Sequence, residues 1–299
     1  MKEKKIEMEI IKISNLTKSY GKSRGVINLN LTVNKGDIYG FMGPNGAGKS
    51  TTIRTMLGFI EPSNGKIEIF QKDITKHNVS ILKNIGYMPS EAMFYPNLRV
   101  EEVLKFASDI HKKDCSEFRS ELCQRLQVDT KKKIEELSLG NRKKVSIICA
   151  MQHKPDLYIL DEPTSGLDPL MQNEFFKLLL EQNKNGATIF LSSHVLSEIQ
   201  KYCNQVAIIR EGKIIARDTV ANLSSTNAKK IKLTGITEDL NLSGISGLHH
   251  SNGSTTFLYN GKLQELITFL SNINFTDLLI EEPSLEEIFM HYYEKEEVQ

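Results

Sequence analysis

The chain has 299 residues, of which 39% are hydrophobic and 25% charged, and its 38 Lys and Arg balance 37 Asp and Glu to a net charge of +1. This composition is typical of a globular protein and excludes a disordered chain, a collagen-like repeat and a disulfide-stapled scaffold. The balanced charge gives no broad basic footprint for nucleic acid, and at about 150 residues per domain the length favours two domains.

The first part of the chain predicts strands and one helix. Apolar and polar residues alternate near residues 6–13 and over residues 27–33, which predicts antiparallel strands. Residues 38–42 are apolar without alternation, as in a strand that is covered on both faces. A helix is predicted over residues 49–57, and a further strand at residues 66–70 after a turn that contains Pro and Gly.

The middle of the chain predicts a helical region followed by a parallel sheet. Residues 100–151 have helical periodicity without a strand signal. The expected apolar stripe of the first helix comprises Val103, Leu104 and Phe106. Two buried strands, at residues 157–160 and 188–191, flank a helical segment, which is the βαβ arrangement of a parallel sheet. Residues 205–216 are then expected to form a hairpin.

The tail predicts a small α+β module for packing or regulation. It follows a stretch rich in Ser, Thr, Asn and Lys at residues 223–230, which we interpret as a linker. Its expected strands are residues 231–233, 255–259 and 275–280, and its expected helices are residues 263–270 and 285–293. Ser284 and Glu287 form a capping box at the start of the last helix. No pattern in this tail indicates chemistry.

The cysteines and the lengths of the apolar runs indicate the cellular compartment in which the chain is expected. The four cysteines, Cys115, Cys123, Cys149 and Cys203, are spaced too widely for the paired ligands of a zinc site and are too few for a secreted scaffold. No apolar run reaches the roughly 18 to 20 residues that cross a bilayer. The first ten residues mix acids with lysines, unlike a signal peptide. We therefore expect a reduced, intracellular chain that is soluble by itself.

Residues 43–50, GPNGAGKS, satisfy the pattern G-x-x-x-x-G-K-[ST] between a buried strand and a helix, which is the setting of a phosphate-binding loop (P-loop). Its glycines let backbone N–H groups turn towards phosphates, and the helix that starts near Lys49 directs the positive end of its dipole at them. We expect Lys49 to reach the β- and γ-phosphates and the Ser50 hydroxyl to bind Mg²⁺.

Other motifs narrow the class of P-loop protein. A GTPase needs an N-K-x-D motif after the P-loop, whereas the motif at residues 34–37 precedes it and is interpreted as a turn between strands. Asp161 and Glu162 end a buried strand. Two acids there are usually a solvated turn. Beside a P-loop, however, Asp161 can bind or approach Mg²⁺, and Glu162 can orient and deprotonate the attacking water.

Four motifs in this order resemble those of an ATP-binding cassette (ABC) ATPase. They are GPNGAGKST at residues 43–51, LSLGNRKK at 137–144, LYILDEPTSGLDP at 157–169 and SSH at 192–194. The resemblance covers roughly residues 6–218. It is greatest with the separate ATPase subunits of bacterial exporters of drugs and antimicrobial peptides, whose C-terminal extension often ends in a helix similar to PSLEEIF at residues 283–289.

The resemblance implies an α/β fold in two domains. Residues 1–222 would form a P-loop ABC ATPase domain with a mixed β core, an antiparallel β subdomain and a helical subdomain at about residues 97–152. Residues 228–299 would form a small C-terminal α+β domain. The implied cofactors are ATP and Mg²⁺.

The resemblance also implies roles for the matching residues. The implied catalytic residues are Glu162, His194 and Lys49, and the implied Mg²⁺ contacts are Ser50, Asp161 and Glu91. The implied nucleotide-binding residues are Tyr20, Gly43, Pro44, Asn45, Gly46, Ala47, Gly48, Lys49, Ser50, Thr51, Ser138, Gly140, Asn141 and Asp168. Tyr20 would stack on adenine, Asp168 would cross a dimer interface, and His194 would contact the γ-phosphate and position the water.

The match at Ser138, Gly140 and Asn141 concerns the signature loop, which in this family grips the γ-phosphate of ATP held by the other subunit. A Ser-x-Gly at a helix start suits an anion because the N–H groups there are unpaired and the dipole is favourable. Within one chain this loop would be far from its own P-loop. Two cassettes must therefore act together, most simply as a head-to-tail homodimer, and a heterodimer stays open.

Two positions depart from the family pattern. Leu139 and Asn141 replace the first Gly and the Gln of the usual LSGGQ, while the serine and the helix-start glycine are kept. Ser90, after Pro89, stands where the family usually has a glutamine that contacts Mg²⁺ and relays to the transmembrane partner. Either Glu91 takes over this contact or a water does.

These observations predict the ATP-binding and hydrolysing subunit of a transporter. It would power export of a drug, peptide or lipid-like substrate through a separate membrane permease, on the inner face of the cell membrane. Phe94 and Tyr95 are expected either to pack under the helical subdomain or to line a groove that receives a cytoplasmic helix of the permease. The cargo itself is selected by the membrane chains.

The alternative function is a soluble ABC ATPase that acts on nucleic acid or ribosomes without a membrane partner. Such proteins usually carry two cassettes in one chain or a long coiled coil between the motifs, whereas this sequence has one cassette and no such coiled coil. A non-enzymatic binding module is less consistent with the sequence, because it would not need Glu162 and His194 together.

Overall fold

A computed structural model describes residues 8–21, 23–91, 93–224, 228–236, 240–251, 253–281 and 283. The chain divides into two units, Met1–Arg217 and Asp218–Gln299. The sequence places the boundary a few residues later, between residues 222 and 228. Within the described ranges, no helix is both long enough and apolar enough to cross a membrane.

The elements up to residue 219 alternate between strands and helices. In chain order they are β1 (Glu9–Tyr20), β2 (Ser23–Asn34), β3 (Ile38–Met42), α1 (Lys49–Met56), β4 (Asn64–Ile69), β5 (Lys72–Asp73), α2 (Ile74–Leu82), β6 (Ile85–Met88), α3 (Val100–His111), α4 (Ser116–Arg125), α5 (Leu139–Met151), β7 (Leu157–Asp161), α6 (Pro169–Lys184), β8 (Thr188–Ser193), α7 (Leu196–Tyr202), β9 (Gln205–Arg210) and β10 (Lys213–Thr219). A single 3-10 turn, Ile134–Glu136, lies between α4 and α5.

A six-stranded sheet in the order β10-β9-β3-β8-β7-β6 forms the centre of the first unit. β3 pairs in parallel with β8 and β9, and β7 pairs in parallel with β6 and β8. All residues of β7 and β8 are buried, which fits their continuous apolar sequence. The parallel sheet predicted from the βαβ pattern is confirmed. The carboxyl ends of β3, β6, β7 and β8 consequently share one edge, where ligands bind in such sheets.

A second sheet, in the order β2-β1-β4-β5, is antiparallel throughout. Its central strand pairs Ile13 with Leu31 on one side and with Ile67 on the other. These side chains share one buried core with Phe41 and Phe190 of the parallel sheet. The alternating apolar residues near the N-terminus therefore predicted the antiparallel strands correctly.

The helical region from residue 100 to residue 151 is confirmed, with one error in its apolar stripe. Val103 and Leu104 are buried on α3, together with Val100 and Ser108. Phe106 is 68% exposed, so its predicted place on this stripe is wrong. Two residues correspond to about 200° of rotation along an α-helix, which carries Phe106 away from the face of Leu104.

The second unit is a four-stranded antiparallel sheet with one helix against it. Its elements are α8 (Val220–Ser224), β11 (Lys229–Thr234), β12 (Ile245–Ser251), β13 (Ser254–Tyr259), α9 (Leu263–Leu270) and β14 (Asp277–Glu281). The strand order is β12-β13-β11-β14. Leu266 and Leu270 of α9 pack with Ile231, Leu233 and Phe257 of the sheet, which gives this unit a core of its own.

Two predictions for the tail need correction. The linker predicted at residues 223–230 is shorter, because α8 reaches Ser224 and β11 begins at Lys229. Strand β12 was not predicted, because its sequence, ISGLHHS, is polar and its residues are half-buried or exposed. The predicted helix at residues 285–293 and the capping box of Ser284 and Glu287 lie outside the described residues.

Candidate active site

The P-loop connects the end of β3 to the start of α1 and is shaped by its glycines. Gly48, immediately before α1, has a φ of 111°, a conformation that side chains with a Cβ rarely adopt. A Cβ on Gly43 would collide with the backbone carbonyl oxygen of Ile209. No side chain caps the N-terminus of α1. The first N–H groups of this helix are therefore available to an anion.

Lys49, the first residue of α1, lies over this loop. It is only 6% exposed, and its Nζ donates to the carbonyl oxygens of Gly43 at 2.6 Å and Pro44 at 3.2 Å. The same nitrogen lies 3.1 Å from Glu162 Oε1. One ammonium group thus contacts both the glycine loop and a carboxylate from the neighbouring part of the sheet.

Asp161 and Glu162 point in different directions at the end of β7. Asp161 is 2% exposed, and its Oδ1 accepts a hydrogen bond from Ser192 Oγ at 2.5 Å. The backbone N–H of Glu162 donates to the same hydroxyl at 3.0 Å. Glu162 itself has a φ of 48°, in the left-handed region that non-glycine residues seldom occupy outside functional sites and turns.

His194 joins this group from the end of β8. Its Nδ1 lies 2.7 Å from Glu162 Oε2 and, because an ionised carboxylate can only accept, this nitrogen carries the proton of the hydrogen bond. The imidazole side chain is half exposed. Glu162 Oε1 is buried and forms an ion pair with Lys49 Nζ at 3.1 Å. The structure therefore brings Lys49, Glu162 and His194 together, with one oxygen of the carboxylate facing the lysine and the other facing the histidine.

The remaining P-loop residues are placed for contact with a ligand. Pro44, Asn45 and Gly46 are exposed at the tip of the loop, while Ala47 is buried beneath it. Ser50 and Thr51 are half-buried in the first turn of α1.

The β1–β2 hairpin borders this loop. A Cβ on Gly48 would touch the side chain of Val26 in β2. Tyr20 ends β1 in the same hairpin, is half-exposed, and has Lys18 Nζ 5.4 Å from its ring centroid.

The signature loop forms a separate group with the loop after β7. Ser138 caps α5 by accepting a hydrogen bond from the Asn141 N–H at 3.3 Å. A Cβ on Gly140 would lie 2.7 Å from the carbonyl oxygen of Gly166. Asp168 caps α6 by accepting from the N–H groups of Leu170 and Met171, both at 3.0 Å.

Ser138 and Asp168 are exposed. Across the described part of the chain, no hydrogen bond or ion pair joins either residue to the P-loop. Glu91 is also exposed, after β6, and the half-buried Ser90 precedes it.

Sequence reasoning missed two polar residues of the site. Ser192 pairs with Asp161 in the register of β7 and β8, which the sequence does not reveal. Lys143, in the middle of α5, is 3% exposed, and its Nζ donates to the carbonyl oxygen of Ser90 at 2.7 Å. Its place two residues before the apolar helical run that begins at Val145 was the available signal for its burial.

The donor set fits a nucleoside triphosphate with a magnesium ion. The glycine loop, the uncapped helix start and Lys49 suit phosphate groups. No group of three or more His, Cys, Asp or Glu side chains that could hold a metal occurs among the described residues. Ser50 at the start of α1 and Asp161 at the end of β7 offer hard oxygen donors, which suit an ion that shares its coordination with phosphates and water.

This geometry defines a P-loop nucleoside triphosphatase, and comparison with known proteins specifies the family. The family profile described as ABC transporter matches residues 26–165. The bacitracin transport ATP-binding protein BcrA of Bacillus licheniformis is 43% identical over 75% of this chain and 74% of its own length. The linearmycin resistance ATP-binding protein LnrL of Bacillus subtilis (strain 168) is 30% identical over 94% of this chain and 97% of its own.

Solved structures agree with this comparison. One described as the ATP binding subunit of an ABC transporter superposes with a TM-score of 0.66 at 30% identity, and covers 72% of this chain and 91% of its own. The chain therefore belongs to the ABC transporter family, as an ATP-binding subunit that hydrolyses ATP. The family, the fold class and the ATPase activity predicted from the sequence are confirmed. ATP-binding subunits of this family work with transmembrane permeases.

Proposed function

We propose that this subunit powers the export of a peptide antibiotic or a similar drug through a separate permease, with Glu162 as the general base of ATP hydrolysis. The observation that carries the proposal is the Glu162 carboxylate, which lies 3.1 Å from Lys49 of the P-loop and 2.7 Å from His194. The class of cargo is supported by two relatives that are named for bacitracin transport and linearmycin resistance.

The residues of the site divide the work of hydrolysis. The backbone of the glycine loop and Lys49 bind and neutralise the phosphates. Glu162 Oε1, which lies 3.1 Å from Lys49 Nζ, accepts the proton of the attacking water. His194 holds the other carboxylate oxygen through Nδ1 and so fixes the direction in which Glu162 points.

Magnesium, when bound, neutralises the charge on the phosphates and polarises the γ-phosphoryl group. The Ser50 hydroxyl, in the first turn of α1, and the Asp161 carboxylate, at the end of β7, are the oxygen donors that we expect to contact it. Asp161 is held in place by Ser192. Glu91, on the exposed loop after β6, stays the predicted third contact.

Two copies of the subunit complete the site. The exposed serine of the signature loop and the exposed Asp168 form no hydrogen bond with their own P-loop among the described residues. A head-to-tail homodimer would place the N-terminus of α5 from one copy against the phosphates bound by the other, where the helix dipole favours an anion. Tyr20 would stack on the adenine.

Exposed apolar side chains near the helical region support a surface of this subunit that binds the permease. We define the apolar patch as Val79, Met93, Tyr95, Phe106 and Ile110, all of which are more than half exposed. Met93 is 87% and Tyr95 78% exposed, whereas Phe94 is half-buried. His111 Nδ1 lies 3.3 Å from the Lys83 carbonyl oxygen, which joins the end of α3 to the end of α2. An exposed apolar surface of this kind commonly marks a partner site, and docking there would hold the subunit at the inner face of the membrane.

Replacement of the base tests the proposed mechanism. Glu162→Gln keeps the shape of the side chain and removes its basicity, so we expect ATP hydrolysis to fall by about a hundredfold or more while ATP binding persists. The bound ATP should then trap a dimer, measurable by analytical ultracentrifugation with and without ATP. Glu117→Gln, at an exposed position on α4, is the matched control. Hydrolysis at the normal rate, or a variant that stays monomeric with ATP, would contradict the mechanism.

A further inference from the structure

A buried lysine outside the proposed catalytic group connects two elements of the site. Lys143 lies on α5, five residues after Ser138, and is 3% exposed. Its Nζ donates a hydrogen bond of 2.7 Å to the backbone carbonyl oxygen of Ser90, in the loop after β6. This bond links the helix that begins with the signature loop to the loop in which the family pattern would have a glutamine.

The acidic residues of the site act on the charge of Lys143. Burial lowers the pKa of Lys143, and attraction to Asp161, Glu162 and Glu91 opposes this effect. The ammonium group is therefore close enough to the carboxylates after β7 to interact with them electrostatically. Lys49 and Lys143 together place two buried positive charges near Asp161 and Glu162.

Stability alone does not account for a lysine at this position. Removing an ammonium group from water costs several kcal/mol, and replacing a buried charge by an apolar side chain of similar volume is often neutral or stabilising. The residues that follow on α5, Val145, Ile147 and Ile148, are apolar and completely buried. A methionine would suit this environment at least as well as lysine does.

The bond from Lys143 to position 90 indicates what this lysine does. It goes to the backbone carbonyl oxygen of Ser90, so it anchors the loop through its backbone, whatever the side chain at this position. Because α5 is a rigid helix, movement of Lys143 also moves Ser138 at its N-terminus. The bond from Lys143 to Ser90 thus couples the signature loop to the loop after β6.

We propose that Lys143 is a positioning residue for ATP hydrolysis: it anchors the loop of residues 89–91 to helix α5 and holds that loop beside Asp161 and Glu162. This inference rests on the proposed function, because it concerns hydrolysis at Glu162. A positioning role differs from a structural one in a measurable way. It predicts lost turnover without lost stability.

Kinetics and unfolding of three variants test the role. Lys143→Met removes the charge and the donor but keeps the length of the side chain. We expect its kcat to fall about tenfold or more because the loop is misplaced, with KM for ATP within threefold and Tm unchanged or raised. Lys143→Arg keeps the charge and the donors and should retain at least a third of the kcat. Lys105→Met, at an exposed position on α3, is the control and should match the unmodified protein.

A fluorescence measurement tests the anchor without ATP. The chain has no tryptophan, so Tyr95→Trp places a single reporter five residues after Ser90. We expect Lys143→Met to lower the anisotropy of this reporter, and Lys143→Arg to leave it nearly unchanged. Failure of the proposed base would appear in Glu162→Gln, whereas failure of the anchor would appear here, so the two results are distinguishable.

Three results would overturn the inference. The first is a kcat of Lys143→Met within twofold of the unmodified protein. The second is an unchanged anisotropy of the reporter at position 95. The third is loss of folding in Lys143→Met and in a second neutral variant, Lys143→Gln, since that would make Lys143 a stabilising residue.

Discussion

One buried hydroxyl supports both acids of the site. Ser192 Oγ donates to Asp161 Oδ1 at 2.5 Å and accepts from the Glu162 N–H at 3.0 Å. Ser192→Ala leaves a buried carboxylate oxygen and a buried N–H without these partners. We expect a loss of about 1–3 kcal/mol in the free energy of unfolding and a fall of about tenfold or more in ATP hydrolysis. Urea unfolding and steady-state ATPase assays measure the two effects.

Thr188→Ala is the matched control for this prediction. Thr188 is as deeply buried as Ser192 and lies on the same strand, but its hydroxyl accepts from the Gly36 N–H at 3.0 Å, at the other end of β8 from the acidic pair. We expect a similar loss of stability with hydrolysis close to normal. If both variants lost activity in proportion to their stability, Ser192 would have no special connection to the carboxylates.

The sequence was sufficient to predict the residues that the structure brings together in the centre of the site. Lys49, Glu162 and His194 each follow a buried apolar strand, and parallel strands end at one edge of a sheet. Ser192 and Lys143 were not predicted as site residues. Their contacts depend on the strand register and on the distance between α5 and the loop after β6, which local sequence patterns do not encode.

At the scale of elements, prediction succeeded where the residues of a strand are buried along its whole length. β3, β7 and β8 are buried along nearly their whole length, so their apolar runs were unambiguous. β12 is half-buried or exposed, and α3 mixes buried Leu104 with exposed Phe106. An apolar residue on the surface of the first unit gives the same sequence signal as a core residue, which is why this stripe was misassigned.

Two stacked histidines join the helical region to the parallel sheet. The ring centroids of His111 on α3 and His153 after α5 are 3.6 Å apart. His153 Nε2 lies 3.2 Å from the Ile85 carbonyl oxygen and must carry the proton, because a carbonyl can only accept. His153 Nδ1 is buried without a hydrogen-bond partner. Burial, with His111 and Lys113 nearby, lowers the pKa of His153 to about 4.

This depressed pKa predicts a loss of stability in mild acid. The unfolded chain binds a proton at His153 near pH 6.5 and the folded chain only near pH 4, so between these values the unfolded state holds more protons. The free energy of unfolding should therefore fall as the pH drops through this window, by on the order of 3 kcal/mol from this residue. His153→Gln should remove that part of the pH dependence in urea unfolding measured from pH 7.5 to pH 4.

Because the chain has other acids and histidines, the pH dependence of unfolding in His153→Gln is compared with that of a control variant. His77→Gln, at an exposed position on α2, should keep the full pH dependence of the unmodified protein. If the free energy of unfolding fell equally with pH in His153→Gln and in the unmodified protein, protonation of His153 would not oppose folding.

At the scale of the whole molecule, the described chemistry is confined to one of the two units. Every motif from the P-loop to His194 lies within Met1–Arg217, and the second unit has its own core of Ile231, Phe257 and Leu266. BcrA of Bacillus licheniformis matches 75% of this chain, whereas LnrL matches 94%. The proposed site of ATP hydrolysis therefore lies within the first unit.

The proposed permease contact can be tested at the apolar patch. Tyr95 is 78% exposed, and its replacement by a photoreactive phenylalanine analogue retains an aromatic ring at this position. Illumination of membranes that contain the subunit with a co-expressed permease should produce a covalent product of the two chains, detected by gel shift and peptide mapping. The cysteine chemistry often used for such experiments is less suitable, because the chain has four cysteines of its own.

The same analogue at Ile27 provides the control, because Ile27 is an exposed apolar residue on β2, at the opposite edge of its sheet from β5, the strand that leads into α2. We expect a product with the permease from position 95 and none from position 27. An assembled complex that hydrolyses ATP but gives no product at position 95 would remove the patch as the docking surface. Products with ribosomal proteins instead would favour the alternative of an ABC ATPase without a membrane partner, since an exposed aromatic residue labels whatever macromolecule covers it.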